Sequence, residues 1–113
     1  MKDLMFENVI IIKPEWFRFT CPVLRITTER MWLNKIGASG LGNPKYITVS
    51  VDLENKSVIV SATEVAEDHT DIRYDLFRNM NWDPSYKYML FGKEYDGKLL
   101  FKLERVMVSE KKG

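Results

Sequence analysis

Apolar and polar residues alternate over several short stretches of the chain, which is the period of a strand with one buried face. The clearest stretch spans residues 46–53, where every second residue from Ile47 onward is apolar. The polar segment 54–57 separates it from the apolar residues 58–61. This pattern predicts a β-hairpin whose turn has Asn55 in the left-handed position.

A second hairpin is predicted towards the end of the sequence. Residues 86–95 and 98–108 are rich in apolar and aromatic side chains and flank Asp96-Gly97, a pair typical of the type I′ turn. Shorter strands are predicted at three places, residues 8–12, 23–27 and 30–34. We expect the aromatic segment 16–19 to pack on the first of these strands.

Helical spacing predicts two helices. The longer one begins at Thr70 or Asp71, either of which can cap it, and ends near Met80. Its apolar face contains Ile72, Leu76, Phe77 and Met80. A shorter helix is predicted over residues 36–41 and ends at Gly42. Together the elements predict an α+β fold, with two antiparallel hairpin units, one short helix and one longer helix.

Size and composition fit one small folded domain. The 113 residues are 45% hydrophobic and 29% charged, so we expect a single domain over residues 1–108 and a polar, frayed tail at 109–113. The net charge of +1 excludes a general polyanion binder and requires any nucleic-acid surface to be local. The single cysteine, Cys21, excludes an intrachain disulfide. The apolar run 9–12 is too short to span a bilayer or form a signal-peptide core, which predicts a cytoplasmic protein without membrane contact.

Three glycines, Gly37, Gly40 and Gly42, raise the question of a phosphate-binding loop. Their order is G-x-x-G-x-G rather than the G-x-G-x-x-G of dinucleotide-binding folds, and no Lys-Ser or Lys-Thr follows them as in a P-loop. The G-x-x-G loop of KH domains joins two helices, and Pro44 prevents the second one. We therefore interpret the glycines as structural: they end a short helix and allow close packing.

One passage combines a strand, a short helix and a hairpin. Residues 30–34, Arg-Met-Trp-Leu-Asn, lead into a helix ending in Leu-Gly, and a hairpin with the acidic turn 52–56 follows. Over residues 25–61 this order resembles the AbrB family of swapped-hairpin transcription factors, with Asn34 where the family has a proline. The resemblance implies an AbrB-like β core, DNA binding and a homodimer, since two copies complete the family's barrel.

A wider resemblance rests on two further passages. Residues 41–49, LGNPKYITV, are similar to an LGxPxYV passage that precedes a hairpin in small proteins of phages and integrative elements of Gram-positive bacteria. A helix followed by Asn81-Trp82 and a closing hairpin is also similar to these proteins. The resemblance implies a mobile-element origin and no established activity.

Basic and aromatic residues are interleaved in the first half of the chain, a combination that suits nucleic acid. Four basic residues are the candidate DNA contacts: Arg25, Arg30, Lys35 and Lys45. The alternative interpretation is that the aromatic side chains belong to the core and the basic ones to the outer face of strands. We expect a non-enzymatic, nucleic-acid-binding protein of the transcription-regulator type, with DNA as its partner.

The segment 64–75 is strongly acidic. Its carboxylates are Glu64, Glu67, Asp68, Asp71 and Asp75. One interpretation is a solvated loop that leads into a helix whose N-terminus favours negative charge. The alternative is a protein-interaction surface, such as that of a phage inhibitor of a host defence complex, which meets a basic partner.

The sequence contains no recognised motif for catalysis or for a bound cofactor. The acidic segment lacks the EF-hand spacing and its glycine, so we expect no metal site. Ser39 does not fit the G-x-S-x-G nucleophile elbow, because residue 41 is leucine, and His69 has no recognised partner for catalysis. We expect no enzyme activity and no cofactor. A structural domain without a binding activity is the remaining alternative.

Overall fold

The computed structural model describes residues 9–11 and 20–110. In these residues, seven strands and two helices follow one another along the chain. The strands are β1 (Val9–Ile11), β2 (Val23–Ile26), β3 (Met31–Leu33), β4 (Tyr46–Asp52), β5 (Ser57–Thr63), β6 (Tyr86–Tyr95) and β7 (Lys98–Glu110). Helix α1 (Lys35–Gly40) connects β3 to β4, and helix α2 (Thr70–Asn79) connects β5 to β6.

All the described strands join one curled sheet, whose order is β3-β2-β6-β7-β5-β4 with β1 added beside β7. The 13-residue β7 connects the two halves of the sheet. β6 pairs with β7 on one side, whereas β5 pairs with its first part and β1 with its last part on the other. The β1–β7 pairing is parallel and the other described pairings are antiparallel, so the sheet is mostly antiparallel.

Side chains of the central strands are buried on both faces of the sheet. The main core includes Leu24, Ile26, Val58, Val60, Tyr88, Leu90, Phe101, Val106 and Val108. A second, smaller cluster on the opposite face consists of Val23, Met89 and Met107. Since successive side chains of a strand point to opposite faces, β6 contributes consecutive buried residues to both clusters.

Helix α2 and three packed aromatic rings close one end of the main core. Leu76 and Phe77 are buried beneath the helix. The Phe77 ring meets Trp82 edge to face at 5.4 Å, and Trp82 stacks on Tyr88 at 4.3 Å. The Asp83 backbone N–H donates a 2.7 Å hydrogen bond to the Tyr88 hydroxyl, and burial raises the pKa of Tyr88 to about 12. The polar end of this buried ring therefore has a partner, as buried tyrosines require.

The principal elements agree with the sequence-based predictions. The β4–β5 and β6–β7 hairpins, a six-residue α1 and a ten-residue α2 are present, so the structure has the mostly antiparallel sheet and the two helices that an α+β fold requires. Asp96 and Gly97 both have positive φ, 54° and 76°, as the type I′ turn requires. The apolar face of α2 is also confirmed, because Ile72 and Met80 pack against the core beside its buried residues.

The predicted conformation of the β4–β5 turn was wrong by one residue. Lys56, rather than Asn55, has the positive φ, at 53°. The carboxylate of Asp52 accepts hydrogen bonds from the Asn55 backbone N–H at 3.2 Å and from its Nδ2 at 2.6 Å. These bonds hold Asn55 within the turn, and the left-handed residue follows it.

The predicted cap of α2 was also wrong. The helix begins at Thr70 with His69 as its N-cap, and the His69 side chain makes no capping bond. Instead, Asp68 Oδ1 accepts hydrogen bonds from the Thr70 N–H at 3.0 Å and from its Oγ1 at 2.6 Å. The carboxylate two residues before the helix thus supplies the acceptor that Thr70 or Asp71 was expected to provide.

The predictions for the two ends of the chain are tested only in part. β7 continues to Glu110, so the first two residues of the predicted tail lie in a strand. Residues 111–113 and the aromatic segment 16–19 lie outside the described residues. Within the predicted strand 8–12, residues Val9–Ile11 form β1.

A register shift at Gly92 bends the β6–β7 hairpin. Leu90 faces Val106, whereas Gly92 faces Phe101. A Cβ on Gly92 would lie 2.6 Å from the Phe101 ring and 2.7 Å from the Leu100 carbonyl oxygen. The bend therefore requires a residue without a side chain, which is a common reason for glycine inside a strand.

Replacing Gly92 with alanine should destabilise the protein by about 1–3 kcal/mol, the usual range for an overpacked core. The measurement is chemical denaturation followed by tryptophan fluorescence. Gly40→Ala is the matched control, because its Cβ would meet only the flexible Glu94 side chain at 3.3 Å. Equal midpoints for Gly92→Ala and the unmodified protein would show that the bend tolerates a side chain.

Candidate functional site

Two of the four predicted DNA contacts lie on the β2–β3 hairpin. Arg25 of β2 faces Trp32 of β3, and the exposed Arg30 immediately precedes β3. The guanidinium carbon of Arg30 lies 4.3 Å from the centroid of the Trp32 ring. The cation–π attraction orients this guanidinium, while its N–H groups can still donate hydrogen bonds to a ligand.

A third basic residue, Lys87 of β6, shares this face of the sheet. Arg25 faces Met89 across the β2–β6 pairing, and Lys87 is two residues from Met89, so its side chain points the same way. Burial, and then the charge of Arg25, lower the pKa of Lys87. Two cations that repel each other favour an anion near them. We call Arg25, Arg30, Trp32 and Lys87 the basic cluster.

A buried hydroxyl on the neighbouring strand β7 lies beside the basic cluster. Ser109 of β7 faces Lys87, and its side chain is only 6% exposed. Its Oγ has no hydrogen-bond partner in the part of the chain that the structure describes. The basic cluster therefore borders a buried hydroxyl of β7.

The other two predicted DNA contacts lie elsewhere. Lys35 is the exposed first residue of α1. Lys45 precedes β4, the strand at the opposite end of the sheet order from β3, and its Nζ lies 5.6 Å from the Tyr46 ring centroid. Lys45 lines an open pocket of about 690 Å³ together with the acidic Glu64. Arg25 and Arg30 are therefore brought together, whereas Lys45 belongs to a different surface.

Asn34 fixes the end of the β2–β3 hairpin with its side chain. Its Oδ1 accepts 2.9 Å hydrogen bonds from the N–H groups of Val23 and Gly37, and its Nδ2 donates to the Cys21 carbonyl at 3.0 Å. One amide thus caps α1 and ties the start of β2 to the end of β3. A proline, the residue of the AbrB family, could make none of these side-chain bonds.

The glycine segment has a structural role, as predicted from its sequence. A Cβ on Gly37 would lie 3.1 Å from Asn34 Oδ1, so this residue permits the close packing of α1. Gly42 has a positive φ of 81° at the end of the helix. The N–H groups of Gly42 and Asn43 donate to the carbonyls of Ser39 and Ala38 at 3.0 and 2.8 Å. These donors are occupied by the chain itself rather than directed at a phosphate.

All five predicted acidic residues are exposed and lie on α2 or in the loop before it. We call Glu64, Glu67, Asp68, Asp71 and Asp75 the acidic surface. The hydrogen bonds from Thr70 lower the pKa of Asp68, so its carboxylate remains charged to more acidic pH. Asp75 forms a 2.6 Å ion pair with Arg78, and both of these side chains are solvent-exposed.

Two apolar side chains project from the acidic surface. Val65 is 66% exposed in the loop, and Tyr74 is 55% exposed on α2 between Asp71 and Asp75. Exposed tyrosine combined with aliphatic side chains is typical of protein interfaces. The sequence pattern indicates the charges but not these two residues, because their exposure depends on how α2 packs on the sheet.

Side chains near the start of α2 hold it against strands at both ends of the sheet order. His69 Nε2 lies 3.2 Å from the Ile47 carbonyl oxygen of β4. Arg73 Nε donates a 3.2 Å hydrogen bond to the Thr28 carbonyl in the β2–β3 turn. The acidic surface is therefore fixed relative to the hairpin that contains most of the basic cluster.

Among the described residues, no three His, Cys, Asp or Glu side chains are arranged to hold a metal ion. Neither described helix is long and apolar enough to cross a membrane.

No protein-family model matches the chain, and neither a curated protein nor a solved structure does. The resemblances to AbrB-type factors and to phage proteins therefore stay predictions from the sequence.

Replacing Asn34 with aspartate should lower the free energy of unfolding by about 1–3 kcal/mol, because a carboxylate oxygen would face the Cys21 carbonyl without a hydrogen. Thermal denaturation measured by circular dichroism tests this. Asn43→Asp, an exposed change nearby, is the matched control and should change the free energy of unfolding by less than about 0.5 kcal/mol. A stable Asn34→Asp variant would show that the Nδ2 hydrogen bond contributes little.

Proposed function

We propose that this protein binds nucleic acid through the basic cluster and acts as a small, non-enzymatic regulator. The observation that carries the proposal is the Arg30 guanidinium held over Trp32 on the same sheet face as Arg25 and Lys87. Arginine stacked on an aromatic ring, with further cations beside it, suits both phosphate and base recognition. Burial, and then the charge of Arg25, lower the pKa of Lys87, and a bound phosphate would offset the repulsion between the two cations.

The small size of the basic cluster limits the contact to a few phosphates. With a net charge of +1, the rest of the protein adds little general attraction for a polyanion. Affinity should therefore be modest for random sequence and sensitive to salt. The resemblance of residues 25–61 to AbrB-type factors supports DNA as the ligand and an AbrB-like β core. The similarity of the chain to phage proteins supports a role in a mobile element within the cytoplasm.

A second candidate function is protein binding through the acidic surface. Val65 and Tyr74 favour it, because two exposed apolar side chains surrounded by carboxylates offer both contact area and charge to a basic partner. An inhibitor of a host defence complex is one example of such a role. The anchoring of α2 by His69 and Arg73 would present this surface in a fixed position.

Arg30→Ala and Lys87→Ala should each weaken DNA binding and reduce the slope of log K against log salt by about 0.9. Fluorescence anisotropy with a labelled random duplex and with a single strand, titrated with salt, measures both quantities. Arg30→Lys separates charge from stacking, since it keeps the cation but loses the planar group. Lys45→Ala is the control on a different surface and should have no effect. An equal loss from Lys45→Ala, or no binding at low salt, would contradict the basic-cluster proposal.

A Glu67→Lys/Tyr74→Ala variant should lose any host protein captured by the unmodified chain from a Gram-positive bacterial extract. The charge reversal removes attraction for a basic partner, and the truncation removes the exposed ring. Glu104→Lys, an exposed change on β7, is the matched charge control and should retain the partner. Capture that survives the double substitution would exclude the acidic surface as the interface.

A further inference from the structure

The outer edge of β4 is long, and no described strand pairs with it. β4 ends the sheet order and pairs with β5 alone among the described strands. Residues 46–51 contain no charge, proline or glycine, which are the features that usually protect a sheet edge. The strand at the other end of that order, β3, has only three residues. The β4 edge is therefore suited to pairing with another strand.

The direction of the backbone groups along β4 follows from its contact with His69. The Ile47 carbonyl points away from β5, since its oxygen lies 3.2 Å from His69 Nε2. By alternation, Val49 and Val51 also direct their N–H and C=O groups towards the outer edge, whereas Thr48 and Ser50 direct theirs towards β5. Because His69 covers the Ile47 carbonyl, Val49 and Val51 are the β4 residues whose outward N–H and C=O groups can pair with another strand.

We propose that β4 pairs antiparallel with β4 of a second copy of this chain, across a two-fold axis at Ser50. In this register Val49 exchanges two main-chain hydrogen bonds with the partner's Val51, and the reciprocal pair does the same. The two Ser50 residues face each other. The pairing uses the groups that His69 leaves available and stops before the covered Ile47.

Charge along the strand identifies a second copy as the occupant. Lys45 precedes β4, whereas Asp52 ends it and Glu54 follows in the turn. An antiparallel copy brings the basic end of each strand beside the acidic end of the other. Lys45 Nζ lies over the Tyr46 ring, and Thr48, three residues further along, faces the partner's Asp52 in this register. The strand is thus complementary to itself, as a two-fold interface requires.

The side chains at the proposed two-fold axis are small enough for the two β4 strands to approach each other closely. Ser50 is exposed and small, and it occupies a position of the non-hydrogen-bonded type, where paired Cα atoms lie about 4.5 Å apart. On the opposite face, the half-buried Val51 would come beside the partner's Val49 and extend the apolar core. The pairing exchanges no segment between copies, so it differs from a swapped-hairpin dimer, and it does not depend on nucleic-acid binding.

A cysteine at Ser50 tests the register. In a Cys21→Ala background, Ser50→Cys should form a disulfide-linked dimer on mild oxidation, because the expected Cα separation is within the disulfide range of about 4.4–6.8 Å. Thr48→Cys is the matched control: its two cysteines would lie more than about 13 Å apart in the dimer, so no disulfide should link them. Non-reducing electrophoresis measures both. No linkage at Ser50, or equal linkage at both positions, would overturn the proposed axis.

Charge substitutions at Ser50 test the assembly without covalent chemistry. Light scattering of the unmodified chain should give twice its 13.3 kDa mass at sufficiently high concentration. Ser50→Lys and Ser50→Glu should each be monomeric, because like charges then meet at the axis, while an equal mixture should form a heterodimer. Circular dichroism confirms that both variants fold. A monomeric unmodified chain, or a dimer that Ser50→Lys does not weaken, would reject the proposal.

Discussion

Hydrogen bonding on both sides of β7 is the constraint on which the other elements depend. This strand holds β6 on one side and, on the other, β5 along its first part and β1 along its last part. A straight strand could not meet both neighbours within one curled sheet, and the shift at Gly92 provides the bend. The main core forms inside the resulting curve, and α2 closes one end with the Phe77, Trp82 and Tyr88 rings.

The two candidate surfaces are joined through the same framework. The basic cluster combines β2, β3 and β6, which become neighbours through the sheet. The acidic surface belongs to α2 and its preceding loop, and Arg73 ties this helix to the carbonyl of Thr28 in the hairpin turn. Although the net charge is only +1, three cations thus gather on one sheet face and five carboxylates gather on α2 and the loop before it. Such separation is useful for binding, since each group keeps a local field of one sign.

Local chemistry explains why much of the fold could be predicted from the sequence. The Asp96-Gly97 turn, the alternation in β4 and the apolar face of α2 are each encoded within about ten residues, within the reach of periodicity arguments. The errors were also local. Asn55 and Asp68 each took part in a hydrogen bond between side chain and backbone that shifted the turn or the cap by one or two residues.

The parts of the candidate site that could not be predicted from the sequence depend on pairing between strands that are distant along the chain. Lys87 joins Arg25 because β2 pairs with β6, and no local signal specifies that pairing between strands that are separated by about half of the chain. Burial of β6 on both faces removes the alternation that would have distinguished its inner residues from its outer ones. The separation of Lys45 from Arg30 has the same origin, because strand order placed their strands at opposite ends of the sheet.

The position of β7 in the chain also affects how the protein can be synthesised. β7 follows all three strands with which it pairs, so a ribosome exposes β1, β5 and β6 before their shared neighbour emerges. Until then these strands present open edges, the kind of surface that favours association between nascent chains. Folding of the sheet is therefore expected to be late and cooperative, and a chain truncated before β7 should depend on chaperones to remain in solution.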